Sequence, residues 1–287
     1  MSTLFGRIGS VTVKAKTAIF ARELKGVRFN FNITKTSEAN PNTSTITLWN
    51  ISPDSRAALE EPLAQVTVKA GYSGFGVNPI SPSAIFGPDQ SEIIYVGNVR
   101  LNGIKQERRG PDIATILECS TAIEAMTNSF VNRSYAPGTT AIQVITDLAA
   151  SMGFSIAQLQ TAGADVSLGG MSISGSAKNA LTAIVQKLGV EWSIQDDELH
   201  IVDKSLPTLE PPVLLTELTG LLGVPTKRSD GGYIFKSLLN PKIRPGRTIV
   251  IASLAVSGAF RPRKVDHIGD LDGGPWDTVV EAIEVGG

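Results

Sequence analysis

The segment VRFNFNITKTSEANPNTSTITLWNI, residues 27–51, carries the clearest structural pattern in the chain. In its first part, apolar residues alternate with polar ones, at Val27, Phe29, Phe31 and Ile33. A period of two is expected of a strand with one buried face. The polar residues 37–42 then predict a turn, and the β-branched run 43–51 predicts a second strand. The sequence therefore predicts a long antiparallel β-hairpin.

Working outward, the pattern stays mostly β through the first 120 residues. Ser52 and Pro53 have the residue types of a helix N-cap and first turn, so they predict one short helix. Further strands are predicted at 66–70, 93–101 and 113–119. Together these elements are consistent with a small barrel or sandwich. Between them, 10 of the 19 residues in 73–91 are Gly, Pro or Ser. This loop either orders on a partner or is solvated without a role.

The period changes in the middle of the chain, where residues 120–204 predict an α+β module. One helical face is formed by Ile142, Ile145, Leu148, Ala149 and Met152, and a second by Leu181, Ile184, Val185 and Leu188. A hairpin is predicted at 190–202, directly after the second helix. Residues 205–212 contain three prolines and predict an extended linker.

The C-terminal part returns to strands, which are predicted at 232–239, 248–256, 260–267 and 278–285. Residues 97–119 and 258–285 share an order of strand, Gly-Pro turn and strand. This similarity indicates either an internal duplication or a chance match in glycine-rich β sequence.

The composition limits the classes of function. Among 287 residues, 26 Lys and Arg stand against 27 Asp and Glu, so there is no bulk basic signal for nucleic acid. A single cysteine, Cys119, cannot form an internal disulfide, which fits assembly in a reducing cytoplasm. We expect no signal peptide from the N-terminal residues and no membrane-spanning segment.

A search for catalytic and metal-binding motifs finds none. There is no Walker loop, His-Glu-x-x-His motif or Gly-x-Ser-x-Gly elbow. Two acidic groups have candidate chemistry, namely Asp196, Asp197 and Glu198 in a predicted turn, and Asp266, Asp270 and Asp272 around His267. Solvated turns and a packed histidine explain them better than a hydrolase or calcium site. Cys119 is interpreted as a small core residue.

Two basic groups complete the candidates: Lys105, Arg108 and Arg109, and Arg261, Arg263 and Lys264. Neither has the aromatic residues that stack on bases, so both are interpreted as solvated turns or interface charges. The sequence thus predicts no catalytic, cofactor-binding or metal-ligating residue, and no cofactor.

Four C-terminal segments and one N-terminal segment carry a resemblance to a known family. They are LTGLLGVP (218–225), LLNPKIRPGR (238–247), FRPRKVDHIGD (260–270), WDT (276–278) and TITLWNIS (45–52). In this order they resemble the tail-hub proteins of tailed bacteriophages, a baseplate hub family related to the late-control protein D type. The resemblance covers most of the chain and is strongest over 213–285 and 27–72.

The resemblance implies a mainly β fold with an α+β insert, in which two tube-like β-barrel domains flank a small mixed middle module. The expected boundaries are 1–120 for the first barrel domain, 121–204 for the middle module, 205–212 for the linker, and 213–287 for the strands that complete the second barrel domain. Some relatives carry a fused cell-wall hydrolase, and no segment after Gly287 could house one, so a non-enzymatic hub is expected.

In function, the resemblance implies a homotrimer that adapts a sixfold tail tube to a threefold central spike. The implied partners are tail-tube or tube-initiator proteins, the spike, other baseplate proteins and the tape measure protein, without a membrane or sequence-specific nucleic acid. The implied place is the virion tail, assembled in the host cytoplasm, and likeness to the protein D type favours a contractile tail. The alternatives are a tail-associated peptidoglycan hydrolase, which would depend on Asp270 or Asp272, and another tube-like adaptor such as a distal tail protein.

Overall fold

The predicted N-terminal hairpin is confirmed, with Phe29 opposite Leu48 and Thr34 opposite Thr43. The computed structural model describes residues 6–24, 26–73, 90–160, 165–203 and 210–285. Most of the loop 73–91 and of the linker 205–212 therefore lies outside the described residues. The N-terminal elements are β1 (Arg7–Lys14), β2 (Arg22–Leu24), β3 (Phe29–Thr36), β4 (Thr43–Trp49), α1 (Pro53–Glu60), β5 (Gln65–Tyr72), β6 (Glu92–Arg109) and β7 (Asp112–Ser120).

The middle elements contain both predicted helices and the predicted hairpin. They are α2 (Ile123–Asn128), β8 (Phe130–Tyr135), α3 (Ala141–Ser151), β9 (Ser155–Gln160), β10 (Met171–Ser176), α4 (Ala177–Lys187), β11 (Val190–Gln195) and β12 (Glu198–Asp203). Thr140 and Gln143 form a capping box at the start of α3, and Ser176 caps α4. Both helices pack their apolar faces on one core with Trp192 and Leu199.

The C-terminal elements are all strands: β13 (Val213–Leu215), β14 (Leu221–Lys227), β15 (Tyr233–Leu238), β16 (Ile249–Ala252), β17 (Ser257–Asp270) and β18 (Trp276–Glu284). Strand β17 pairs with β3 along residues 264–270, so the N-terminal and C-terminal strands form one 13-stranded sheet. The mainly β fold is thus confirmed. In the described residues the strand pairing ends at β2, β13 and β14, and no closed barrel is found.

The N-terminal and C-terminal strands repeat one pattern of pairing. The N-terminal order is β3-β4-β7-β6-β5-β1, and the C-terminal order is β14-β15-β18-β17-β16-β13. Corresponding strands also follow each other in the same order along the chain. The two sets differ in direction at one pair, since β13 runs parallel to β16 whereas β1 runs antiparallel to β5. The two segments with similar order, 97–119 and 258–285, thus lie on hairpins with equivalent places in the pairing order, β6–β7 and β17–β18.

Three hydrophobic clusters lie in the N-terminal, middle and C-terminal elements. The N-terminal cluster also includes Leu239 and Trp276 from the C-terminal strands. The rings of Phe31 and Trp276 meet edge to face, with centroids 5.5 Å apart. The two β-regions consequently share apolar packing as well as backbone pairing.

Candidate functional site

The tip of the β11–β12 hairpin inserts into a buried polar junction. Asp196 and Asp197 form the turn with φ angles of 52° and 67°, the left-handed pairing typical of a two-residue hairpin loop. Lys35 on β3 is 1% exposed and donates to both carboxylate oxygens of Asp196, at 2.7 and 2.8 Å. Gln65 on β5 donates to Asp197 at 2.8 Å. The prediction that these turn carboxylates are solvated is wrong, because strands from another part of the chain cover them.

Two amides fix the same hairpin to the end of β3 and the residue before β4. The Asn42 side chain donates to the Ile194 carbonyl at 2.8 Å and to the Gln195 side-chain oxygen at 3.1 Å. Gln195 in turn donates to the Thr36 carbonyl at 2.8 Å. Both amide side chains are buried, and an unpaired amide there would lose its hydrogen bonds to water without replacement. The junction thus holds the middle elements in one position against the sheet.

His267 on β17 lies on the C-terminal side of this junction. Its Nδ1 lies 3.0 Å from the Thr278 hydroxyl, and its side chain is buried, so it is packed and hydrogen-bonded as the sequence analysis expected. Burial, with the nearby charge of Lys35, lowers the His267 pKa to about 3. Burial also lowers the pKa of Lys35, although Asp196 opposes that shift. Burial and the neighbouring Asp196 raise the pKa of Asp197.

The acidic group around His267 does not form an acid–base pair. The Asp266 carboxylate accepts from the Thr34 hydroxyl at 2.6 Å, across the β17–β3 contact. Asp270 and Asp272 lie 3.8 and 3.5 Å from the guanidinium of Arg28. Within the described ranges, no cluster of three or more His, Cys, Asp or Glu is arranged to hold a metal ion. These carboxylates bind neighbouring side chains of the same sheet.

The remaining candidates have structural surroundings. Cys119 is buried, and burial raises its pKa to about 12, so its thiol stays protonated. Lys105 and Arg109 lie on strand β6 and not in a turn, so that part of the prediction is wrong. Both are exposed and pair with Glu118 and Glu107 at 2.6 and 2.8 Å. Arg261 lies on strand β17 and is 4% exposed, so of the two interpretations of its basic group, solvated turn or interface charge, the solvated turn is wrong for this residue. Its guanidinium lies 3.9 Å from Glu191 of the middle elements, and burial lowers its pKa.

One open pocket of about 560 Å³ lies beside α3, lined by Tyr135, Thr139, Ile142, Gln143, Thr146 and Asp147. Its carboxylate, Asp147, is paired with Arg133 at 2.9 Å. Glycoside hydrolysis commonly uses two carboxylates, and this lining holds one. Over the part of the chain that the structure describes, no helix is long and apolar enough to cross a membrane.

Two strands of the sheet have an exposed stretch with a neighbour on one side alone in the described residues. In the described residues, β6 beyond Val99 pairs only with β7, and β14 pairs only with β15. Residues 105–109 of β6 are exposed, as are Thr226 and Lys227 of β14. Unpaired N–H and C=O groups along an edge are templates for pairing with another strand.

The junction and the edges escaped the sequence analysis. Alternation and turns predicted strands and the partners within hairpins, but not neighbours distant in the chain, because a period of two says which face is buried and not which strand lies alongside. The only signal of the repeated pattern was the similarity of 97–119 and 258–285. No motif marked Lys35, whose partner Asp196 lies 161 residues away.

Several solved structures are similar to this one in fold. The 43 kDa tail protein of prophage MuSo2 from Shewanella oneidensis is similar with a TM-score of 0.63 and 10% identity, covering 96% of this chain and 98% of that one. A tail protein from Neisseria meningitidis MC58 is similar with a TM-score of 0.64 and 10% identity, covering 98% and 97%. These identities establish similarity of fold alone.

A third similar structure is the E. coli c3393 protein, described as a component of the type VI secretion system with structural similarity to the T4 bacteriophage tail proteins gp27 and gp5. Its TM-score is 0.58 at 11% identity, covering 96% of this chain and 77% of that one. No curated protein matches the sequence significantly. The model of one family, described as baseplate hub gp41, matches residues 10–257. Because this match spans well over half of the chain, the protein belongs to the baseplate hub gp41 family.

Proposed function

We propose that the protein is the structural hub of a phage tail baseplate, and that three copies adapt a sixfold tail tube to a threefold central spike. The observation that carries this proposal is the repeated strand order within a chain of the baseplate hub family. Two equivalent β-units in each of three copies would present six similar units to a sixfold tube. The same three copies would present a threefold surface to the spike.

The proposed division of the chain follows from this arrangement. Residues 1–120 and 213–287 form two tube-like barrel domains, residues 121–204 form the middle module, and 205–212 connect them. Its support is the placement of the three hydrophobic clusters in the N-terminal, middle and C-terminal elements. Closure of each barrel is part of the proposal and depends on contacts made in the assembly.

We propose a non-enzymatic role. The rival function, peptidoglycan hydrolysis, would need Asp270 or Asp272 as a catalytic carboxylate. Both lie near Arg28, and the Asp270 side chain also accepts from the Asp272 backbone N–H at 3.0 Å. Replacing Asp270 and Asp272 with Asn should therefore leave no measurable change in peptidoglycan release from purified cell walls. Loss of such release in the variant would instead establish the hydrolase.

The oligomeric state is the first test of the hub. Light scattering across a concentration series should give a mass near three times 30.3 kDa. Imaging of that species should then show a ring with pseudo-sixfold symmetry. A stable dimer would contradict the proposal, and a monomer would move the measurement to mixtures with the spike and tube proteins. The proposed partners further include the other baseplate proteins and the tape measure protein, in a virion tail assembled in the host cytoplasm.

A further inference from the structure

We infer that the free edge of β6 pairs with β14 of a second copy of this chain, repeating between copies the β17–β3 contact made within each copy. This inference rests on the proposed hub for the number of copies. The pairing itself is argued from the equivalence of the two β-units. In that equivalence β6 corresponds to β17, and β14 corresponds to β3.

Within the chain, strand β17 of the C-terminal unit pairs with strand β3 of the N-terminal unit. The equivalent strands, β6 of the N-terminal unit and β14 of the C-terminal unit, lack this neighbour in the described residues. Strand β17 pairs with β16 at its start and with β3 over residues 264–270. Strand β6 likewise pairs with β5 at its start, but residues 100–109 have no second neighbour among the described residues. Strand β3 lies between β17 and β4, whereas β14 has only β15 in the same part of the chain. The free edges of β6 and β14 are thus equivalent to the two edges that pair in the β17–β3 contact.

The register of this contact can be transferred from one unit to the other. Strands β4 and β15 end alike, because the next residue, Asn50 or Leu239, donates its N–H to the carbonyl of Ile113 or Trp276. Ile113 and Trp276 are therefore equivalent positions, at or next to the start of β7 and β18.

Two residues further along those strands, Thr115 lies opposite Gln106 and Thr278 lies opposite His267. Gln106 on β6 is therefore the equivalent of His267 on β17.

The same alignment relates β14 to β3. Ser44 and Tyr233 each stand five residues before the end of their strands, β4 and β15. Ser44 lies opposite Ile33, and Tyr233 lies opposite Lys227. Lys227 on β14 is therefore the equivalent of Ile33 on β3.

Within the chain, His267 lies directly opposite Ile33. The inferred contact consequently places Gln106 of one copy opposite Lys227 of the next. The exposure of these residues agrees with this assignment. His267 and Ile33 lie in a contact made within the chain and are 1% and 0% exposed, whereas Gln106 and Lys227 lie on free edges of a single copy and are exposed. Polar side chains, lysine above all, keep an edge strand soluble until its partner arrives.

The partner is a second copy because the two edges are different surfaces of one molecule and complement each other. Such a head-to-tail contact produces a ring when its rotation closes, and an open filament when it does not. In the proposed hub it closes after three copies.

Cysteine cross-linking tests the register. Residues directly opposite in an antiparallel pair have Cα atoms about 4.5–5.5 Å apart, which is within the range of a disulfide. In the variant Gln106→Cys/Lys227→Cys, the inferred contact therefore places the two cysteines of neighbouring copies close enough to form one. Mild oxidation should yield covalent species that end at three copies on a non-reducing gel and disappear with reductant. Wild-type mass is measured by light scattering at the same concentration.

The matched control is Gln106→Cys/Lys236→Cys. Lys236 is also an exposed lysine, but it lies on β15, which is paired on both sides. This control should remain uncross-linked, and equal cross-linking in both variants would overturn the inference. A wild-type trimer without cross-links in the Gln106→Cys/Lys227→Cys variant overturns the edge contact and leaves the hub standing. Cross-links that continue beyond three copies support the edge contact and refute the threefold hub.

Discussion

The buried ion pair between Lys35 and Asp196 allows a quantitative test of the junction. Replacing Asp196 with Asn removes the carboxylate that accepts two hydrogen bonds from a lysine that is 1% exposed. A buried charge left without its partner typically costs about 3–5 kcal/mol. The free energy of unfolding should fall by that amount, which is a large share of the roughly 5–15 kcal/mol that stabilises an ordinary domain.

Removing both partners should cost less than removing one. In Lys35→Met/Asp196→Asn neither charge of the pair remains, so no lysine is left buried without its carboxylate, which is the costly case. Urea unfolding at pH 7, followed by tryptophan fluorescence and by circular dichroism, should therefore show the single variant as the less stable. The matched control is Glu118→Gln, which breaks the exposed pair with Lys105 and should leave the midpoint unchanged.

An Asp196→Asn midpoint equal to that of the wild type would refute this reasoning, because it would mean that water reaches Lys35 in the folded chain. A double variant less stable than the single one would refute the argument that the uncompensated charge dominates.

The remaining predictions concern the histidine and the middle core. The His267 pKa is lowered from 6.5 to about 3, so below pH 6.5 the unfolded chain binds a proton that the folded chain does not, and stability falls by about 1.4 kcal/mol per pH unit down to about pH 3. His267→Asn should remove this loss. The difference between the free energies of unfolding at pH 7.5 and 4.5, measured by urea titration, should therefore be smaller in the variant by about 2.7 kcal/mol. Parallel pH dependences of the two proteins would count against it. Trp192→Ala should cost about 3–5 kcal/mol because Trp192 is 3% exposed in the middle core, and half-buried Leu188→Ala should cost less, about 2 kcal/mol; unchanged denaturant midpoints would mean that neither packs there.

Local patterns were enough to predict the N-terminal hairpin, the two longer helices and most of the C-terminal strands, but not β1, β2, α2 or β8. The alternation through β3 and the helical faces of α3 and α4 depend on neighbours a few residues apart, so they are visible in the sequence. The contact between β3 and β17 is different in kind. Thr34 and Asp266 form a hydrogen bond across it although 232 residues separate them. The sequence around either strand does not indicate that the other strand is its partner.

The junction was missed for a related reason. Asp196 and Asp197 have the composition of an ordinary exposed hairpin turn, and such turns are solvated unless another part of the chain covers them. Here β3 and β5 cover them, and Lys35 supplies the compensating charge. Whether a charged turn is buried thus depends on which distant strands pack against it, so its burial cannot be predicted from the turn's own sequence.

The two equivalent edges differ in one respect that bears on assembly. Strand β3 is regular, whereas the pairing of β14 shifts register between Leu222 and Thr226, around Gly223, Val224 and Pro225. Irregular edges and proline, which lacks an N–H to donate, limit the partners that an edge strand accepts. The internal contact is made once, by strands held in one chain, and needs no such protection. The inferred contact between copies, in contrast, must form between separate chains. An irregular β14 edge that pairs poorly with other strands and in one register with its partner therefore favours closed rings over aggregation.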